Sequence, residues 1–406
     1  MSLNSFLPVL FVVLLIPLPL NGMAEDWPNW RGPNRNGLSA EKLPLSKWPA
    51  EGLSVVWRSN VGTGFSSVSV VSDRLYTMGN AEDKDTVFCL SAETGEVVWR
   101  YAYDCPLDDR FFEGGPTSTP TVDGDRVYTL SRQGDLFCFD ALSGQIRWSQ
   151  NVQRENDARI PGWGFSSSVL VHEDKLILNV GDAGLALDKL TGKLLWKSGD
   201  GEAGYMTPHK VKIDDQWYAL IASGKFYQCV SINSGNVGWK HRWLTTNGCN
   251  AADPIVSEGR VFISSGYGRG AALLSFTDKT AKVVWSNNEM QNQMNSSIFI
   301  DGYVYGFDGD EGGGEVQLKC LEFSTGEVRW SYPGLGAGSL FAADNHFIVL
   351  SETGELVIAP VSNDSFEPSR SKKILDGKCW TAPVLSHGLI YCRNASGDIA
   401  CVNLKP

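Results

Sequence analysis

LSAETGEVVW (90–99) is one of six near-copies spread along the chain. The others are FDALSGQIRW (139–148), LDKLTGKLLW (187–196), VSINSGNVGW (230–239), SFTDKTAKVVW (275–285) and LEFSTGEVRW (321–330). Five carry Gly four residues before Trp, at Gly95, Gly144, Gly192, Gly235 and Gly326, and Ala281 stands there in the sixth. A seventh Trp, Trp57 in LSVVWRS, has the strand without the preceding turn. Successive Trp lie 42, 49, 48, 43, 46 and 45 residues apart. Such a period belongs to propeller blades or to helical arrays. The local period decides between them. Each unit reads as short alternating runs of β-branched and aromatic residues, broken by Gly, Asn, Asp and Ser, which is strand and turn chemistry. The Thr-Gly or Ser-Gly step before each Trp strand suits a hairpin in which Gly supplies positive φ. After residue 24 no segment holds a 3.6-residue apolar period for three turns.

A second marker counts the units independently. A turn precedes an apolar-aromatic pair in DRLY (73–76), DRVY (125–128), DKLI (174–177), DQWY (215–218), GRVF (259–262), GYVY (302–305), NHFI (345–348) and GLIY (388–391), eight in all. The Trp strand has decayed after the seventh, around Lys373 and Ile374, and no outer strand follows the eighth. The Trp57 strand, ahead of every hairpin, supplies the missing one. Sharing a blade between the termini closes the ring and removes exposed sheet edges. The expected fold is therefore all-β: a single eight-bladed β-propeller of four-stranded blades, the last built from residues 380–404 plus 53–58. The seven repeat Trp (Trp57, Trp99, Trp148, Trp196, Trp239, Trp285 and Trp330) are read as structural docking residues, because a position that recurs in every blade cannot define one site.

Composition bounds the function. Acidic residues outnumber basic ones 46 to 35, a net charge of −11, which excludes a nucleic-acid partner that needs a basic surface. Docking on an anionic leaflet is disfavoured for the same reason. Residues 6–20 (FLPVLFVVLLIPLPL) are continuously apolar, too short and too Pro-interrupted to span a bilayer, and Gly22-Met23-Ala24 places small residues at a cleavage site. The expected division is a signal peptide at 1–24, an N-terminal extension packing on the propeller at 25–52, and the propeller at 53–406. Export by a cleavable signal implies a periplasmic or secreted protein. No Cys lies within residues 1–88, so no lipid anchor is expected at the mature N-terminus. A monomer is expected.

The repeated A/L-D-x-x-T-G-x-x-x-W pattern resembles the tryptophan-docking repeat of pyrroloquinoline quinone (PQQ) dehydrogenases and of the outer-membrane assembly lipoprotein BamB. The resemblance is closer to an exported PQQ-like propeller group of planctomycete type, through DWPNWRGPNRNG (26–37), PGWGFSSS (161–168), SGDGEAGYMTP (198–208), DPIVSEGRVFISSGYGRGAALL (253–274) and LDGKCWTAPVL (375–385). It covers essentially the whole chain after the leader. For the dehydrogenases it implies PQQ and calcium, a catalytic Asp, calcium held by Glu, Asn and Asp, and a Trp stacked on the quinone. Many also carry a disulfide between adjacent Cys, but no two Cys are adjacent here, and there is no C-x-x-C-H haem motif.

Chemistry-bearing residues are sparse. Trp163 and Trp380 each begin an innermost strand and serve either as stacking platforms or as blade packing. Cys89, Cys138, Cys229, Cys320 and Cys401 share one repeat position and read as small buried residues. A Cys392–Cys401 disulfide is left open, since both lie on adjoining strands of the eighth blade. Cys105, Cys249 and Cys379 fall in loops. His172, His346 and His387 read as solvated turn residues. Asp308 and Asp310 in FDGDEGGGE (307–315) are weak calcium candidates against the reading of an acidic hairpin tip. The long polar connections from outer to next inner strand open on one face, and Arg110, Arg159, Trp163, Tyr205, Trp243, Asn247, Arg269 and Trp380 are expected to rim it. The expected function is a non-catalytic binding or scaffold module of the cell envelope, taking an envelope protein or small molecule on that face. The alternatives are a PQQ- and calcium-dependent alcohol or sugar dehydrogenase and a BamB-like outer-membrane assembly factor.

Overall fold

The computed structural model describes residues 24–44, 53–310 and 314–404. Residues 1–23 of the leader expected at 1–24 lie outside them. Eight sheets are arranged as consecutive blades, each an antiparallel meander. Blades 1 to 7 run through residues 69–104, 121–151, 170–197, 209–242, 255–287, 298–332 and 339–373. Blade 8 takes three strands from 384–403 and its outer strand from Ser54–Asn60, which pairs with Asp398–Asn403. The ring closes as the repeat count requires. One short helix, Val152–Asn156, sits in the connection from blade 2 to blade 3, capped by the Asn151 side chain, which accepts from the Arg154 N–H. Among the described residues no helix is long and apolar enough to cross a membrane.

The docking Trp work between blades. Each of the seven indoles donates from Nε1 to a backbone carbonyl of the next blade, at 2.8–3.2 Å. Trp99 reaches Ala141, and Trp57 reaches Ala92, joining blade 8 to blade 1. A bulge in each Trp strand, such as the shift between Cys89 and Leu90, takes up one extra residue before the indole. The small Cys side chain stands directly across from Trp in five blades, as Cys89 opposite Trp99 and Cys401 opposite Trp57. The Tyr of the hairpin marker shares the same acceptor: Tyr76, Tyr128 and Tyr391 donate to the carbonyls of Ala141, Lys189 and Ala92. Buried phenols and indoles need such partners. The repeat Gly carries two loads at once. Its φ is positive, and a Cβ on Gly95, Gly144, Gly192, Gly235 or Gly326 would meet the neighbouring blade's indole at 2.5–2.8 Å.

The register also decides the cysteines. Cys392 pairs with Ala400 while Cys401 pairs with Tyr391, so the two thiols lie on opposite faces of the sheet. The possible disulfide is excluded, and none of the nine cysteines is disulfide-bonded. Two of the turn histidines are held by neighbours, and one of them is buried. His172 is buried against the Trp217 ring at 5.1 Å, and His387 Nε2 lies 2.8 Å from Asp26.

The described part of the N-terminal segment runs along the inner strands that face the channel. Trp27 exchanges backbone bonds with Val70 of blade 1, Leu38–Ser39 runs parallel to the inner strand of blade 7, and Glu41 accepts from the backbone of His387 and Gly388 in blade 8. Between them Arg31 reaches the Ser297 carbonyl and Arg35 the Val169 carbonyl. Gly32 permits this path, since a Cβ there would meet the Trp27 ring at 2.9 Å.

Candidate functional site: a funnel at the mouth of the ring

Two residues before the inner strand of blades 1 to 6 stand side chains that bond from blade to blade, while blades 7 and 8 carry Ala337 and Ala382 there. Ser67 N–H donates to Thr119 Oγ1, Thr119 to Ser168 Oγ, Ser168 to Thr207 Oγ1, Thr207 to Asp253 Oδ1 and Asp253 to Ser296 Oγ, all at 2.8–3.1 Å. Five of the six side chains are hydroxyls. Blade 5 alone inserts a carboxylate, and this is where the symmetry of the repeat breaks.

Above that ring the connections between blades enclose a cavity of about 230 Å³. Trp30 of the N-terminal segment and Asp253 line its deep end, and the Trp30 Nε1–H donates to Asp253 Oδ2 at 2.8 Å. Seven further aromatic rings form the wall: Phe65, Phe111, Phe112, Trp163, Tyr205, Tyr267 and Trp380. They brace one another, with Phe65 stacked on Trp380 at 5.5 Å and Trp163 edge-on to Tyr205 at 5.6 Å. Ser, Thr, Asn and Gln side chains interrupt the wall, and among the described residues Asp253 is its one charged residue and no His, Lys or Arg lines it. Burial pushes the Asp253 carboxyl up from its ordinary value, against the opposing pull of Arg31 and then of its hydrogen bonds. Burial also pushes the Cys249 thiol up to about 12, so it stays protonated and is no nucleophile.

Of the eight residues expected to rim this face, Trp163, Tyr205 and Trp380 line the cavity. The other five do not. Arg110 turns back to a two-point pair with Asp108, holding that carboxyl well below its usual range. Arg159 faces solvent 3.8 Å from Glu202. Trp243 is buried in its blade and donates to Ser265, with Arg269 lying over its ring at 3.4 Å. Asn247 bonds the Tyr267 hydroxyl from the surface. Trp163 and Trp380 pack against neighbouring rings and line the cavity. Asp308 and Asp310 do not converge on a metal: Asp308 pairs with Lys319 at 2.7 Å, whereas Asp310 accepts the Tyr267 N–H. Among the described residues no three His, Cys, Asp or Glu cluster as metal ligands. Trp30 and Asp253 escaped the sequence reading. The signal for Asp253 was its place in the column of Ser67, Thr119, Ser168, Thr207 and Ser296.

An eight-bladed ring with a Trp-docked repeat and an aromatic funnel defines a PQQ-like propeller. The family model described as outer membrane protein assembly factor BamB matches residues 50–110 and 107–332, and the chain belongs to that family. BamB of Yersinia pestis is 22% identical over 310 residues, covering 70% of this chain and 73% of that protein. A polyvinylalcohol dehydrogenase of Sphingopyxis is 25% identical over 206 residues. That match covers 45% of this chain and 29% of the enzyme, so the chain spans less than a third of its length. The solved quinohemoprotein alcohol dehydrogenase of Comamonas testosteroni superposes with a TM-score of 0.68 at 13% identity, covering 95% of this chain and 81% of that one, a likeness of fold alone.

Proposed function

We propose that this chain is an exported, non-catalytic binding module of the cell envelope whose funnel takes a small, flat, uncharged ring compound. The observation that carries the reading is the funnel lining: eight aromatic rings around about 230 Å³, with one carboxylate at the deep end to accept a ligand hydroxyl or N–H. Concave, mostly apolar cavities with few convergent polar groups are the usual shape of small-molecule sites. The donor set does not suit PQQ and calcium. PQQ brings three carboxylates, yet no cationic side chain lines the cavity. Calcium takes six to eight oxygens, usually with several carboxylates. Here the cavity offers only Asp253, whose two oxygens already accept from Thr207 and Trp30. Export rests on the apolar 6–20 segment.

The test is a titration of purified protein with 2-naphthol, followed by saturation-transfer NMR. The expected result is saturable binding that weakens about tenfold or more in Trp163→Ala and in Asp253→Asn, the loss of roughly one good contact. No saturation, or unchanged affinity in both variants, overturns the funnel reading. Dye reduction with alcohols after adding PQQ and calcium would overturn the non-catalytic one. A second reading, a BamB-like assembly role, is favoured by the family match and the 73% coverage of the Yersinia protein. Affinity capture from envelope fractions should then recover outer-membrane assembly components, and their absence would count against it.

A further inference from the structure

The opposite end of the channel holds a second cavity, of about 590 Å³, between blades 2, 3 and 4 and the N-terminal segment. It lies on the face of the inner hairpin turns, away from the funnel, and its charge has the other sign. Five charged side chains line it: Arg35, Lys189 and Lys210 against Asp123 and Glu173. Cations are in excess here although the chain as a whole carries −11. Lys189 and Asp123 cancel in a 2.7 Å ion pair. Glu173 sits at the rim with its side chain 69% exposed. That leaves Lys210, and Arg35, whose opposing charge is the Asp253 carboxylate, with which it makes no direct ion pair. Arg35 is 8% exposed, spends Nη2 on the Val169 carbonyl, and has no hydrogen-bond acceptor at Nη1. Lys210 makes no ion pair among the described residues and lies 5.5 Å from the centre of the Trp217 ring, which also lines the cavity. The field is felt by a third group. The His209 ring is held down to about 4, first by burial and then by Arg31, Arg35 and Lys210.

We propose that this cavity binds a small organic anion, its carboxylate or phosphate group held between Lys210 and the field of Arg35 and its carbon skeleton lying along Trp217. A guanidinium buried beside a cavity and a free ammonium at its wall favour an anion through charge-assisted contact. The volume exceeds what a bare inorganic ion needs, and the indole gives an attached ring an apolar surface.

Phenyl phosphate and benzoate are the probes, titrated into the full chain by calorimetry at low salt, with phenol and benzylamine as uncharged and cationic controls. One or both anions should bind saturably, and the stronger names the anion class. Inorganic phosphate should compete more weakly. Lys210→Glu, on an exposed side chain, should weaken binding about tenfold or more by reversing the contact charge. Saturation with the anion should also raise the His209 ring pKa, read by NMR, because the bound negative charge offsets the field. The proposal is overturned if Lys210→Glu keeps a native circular dichroism spectrum and unchanged affinity, if phenol binds as well as phenyl phosphate, or if no anion binds by about 10 mM, a free energy near 3 kcal/mol.

Discussion

Replacing Gly95 by Ala tests the idea that the repeat Gly exists for the neighbouring indole and not only for its turn. An added Cβ would stand 2.5 Å from Trp57 Cε3 and 2.7 Å from Cδ2. Ordinary carbon contacts are about 3.5–4.0 Å, so the ring must retreat by about 1 Å. It has nowhere soft to go. Trp57 is 9% exposed, tied by Nε1 to the Ala92 carbonyl at 3.1 Å and packed on Tyr391 at 5.9 Å. Forcing atoms into a packed core costs about 1–3 kcal/mol, and weakening the indole hydrogen bond adds about 1. The control is Gly259→Ala. Gly259 has φ +69°, close to the +73° of Gly95, but nothing within 4 Å of its Cβ position. Both variants carry the left-handed backbone cost of roughly 1–2 kcal/mol, partly offset by the stiffer unfolded chain. Gly95→Ala should therefore lose about 2–4 kcal/mol more than Gly259→Ala. Urea unfolding followed by fluorescence and by circular dichroism measures this, provided the two transitions coincide. Equal losses in the two variants would refute the docking account.

The Arg393 guanidinium of blade 8 is buried and donates to the Ser66, Met78 and Gly62 carbonyls and to Thr77 Oγ1. Arg393→Met strands these acceptors where the ring closes and should cost about 3–5 kcal/mol, so a wild-type urea midpoint would show that the latch is idle. His209, held at about 4 when folded against 6.5 ordinarily, stays neutral in both states above pH 6.5. As pH falls from 6.5 to 4 the unfolded chain gains the proton first, so stability is lost across that window, by about 1–3 kcal/mol for this group. His209→Gln should flatten that part of the pH–stability curve, and parallel curves would contradict the assignment. Alkylation of the denatured protein without reductant should label nine thiols, and a lower number would contradict the register that separates Cys392 from Cys401.

The funnel differs from the rest of the ring in one respect that composition conceals. A propeller repeats each side chain eight times over, so a site arises where one blade departs from the others. Asp253 is the polar departure, a carboxylate where blades 1 to 4 and 6 carry hydroxyls and blades 7 and 8 carry Ala337 and Ala382. Burial holds its carboxyl above the ordinary value, and Arg31, the Thr207 and Trp30 hydrogen bonds and Arg35 offset part of that cost. The channel segment and the carboxylate therefore form one unit, and the funnel depends on both.

The repeat made the architecture legible from the sequence alone. Blade number, strand order, the shared eighth blade and the structural role of the Trp all follow from a local period that backbone chemistry enforces, a turn Gly and an indole at fixed spacing. Membership of the funnel did not follow. Arg110, Arg159 and Arg269 sit on the expected loops, yet Asp108, Glu202 and the Trp243 ring take them up. Long side chains choose partners within a few ångströms, and spacing along the chain does not report which partner is nearest. Trp30 lies 223 residues from Asp253, and only closure of the ring around the N-terminal segment brings the two within hydrogen-bond distance. The periodic part of this protein is set by contacts between neighbouring blades, which the sequence repeats and so reveals. The sites are set by where that repetition fails, and by a segment outside the repeat that only the tertiary structure places.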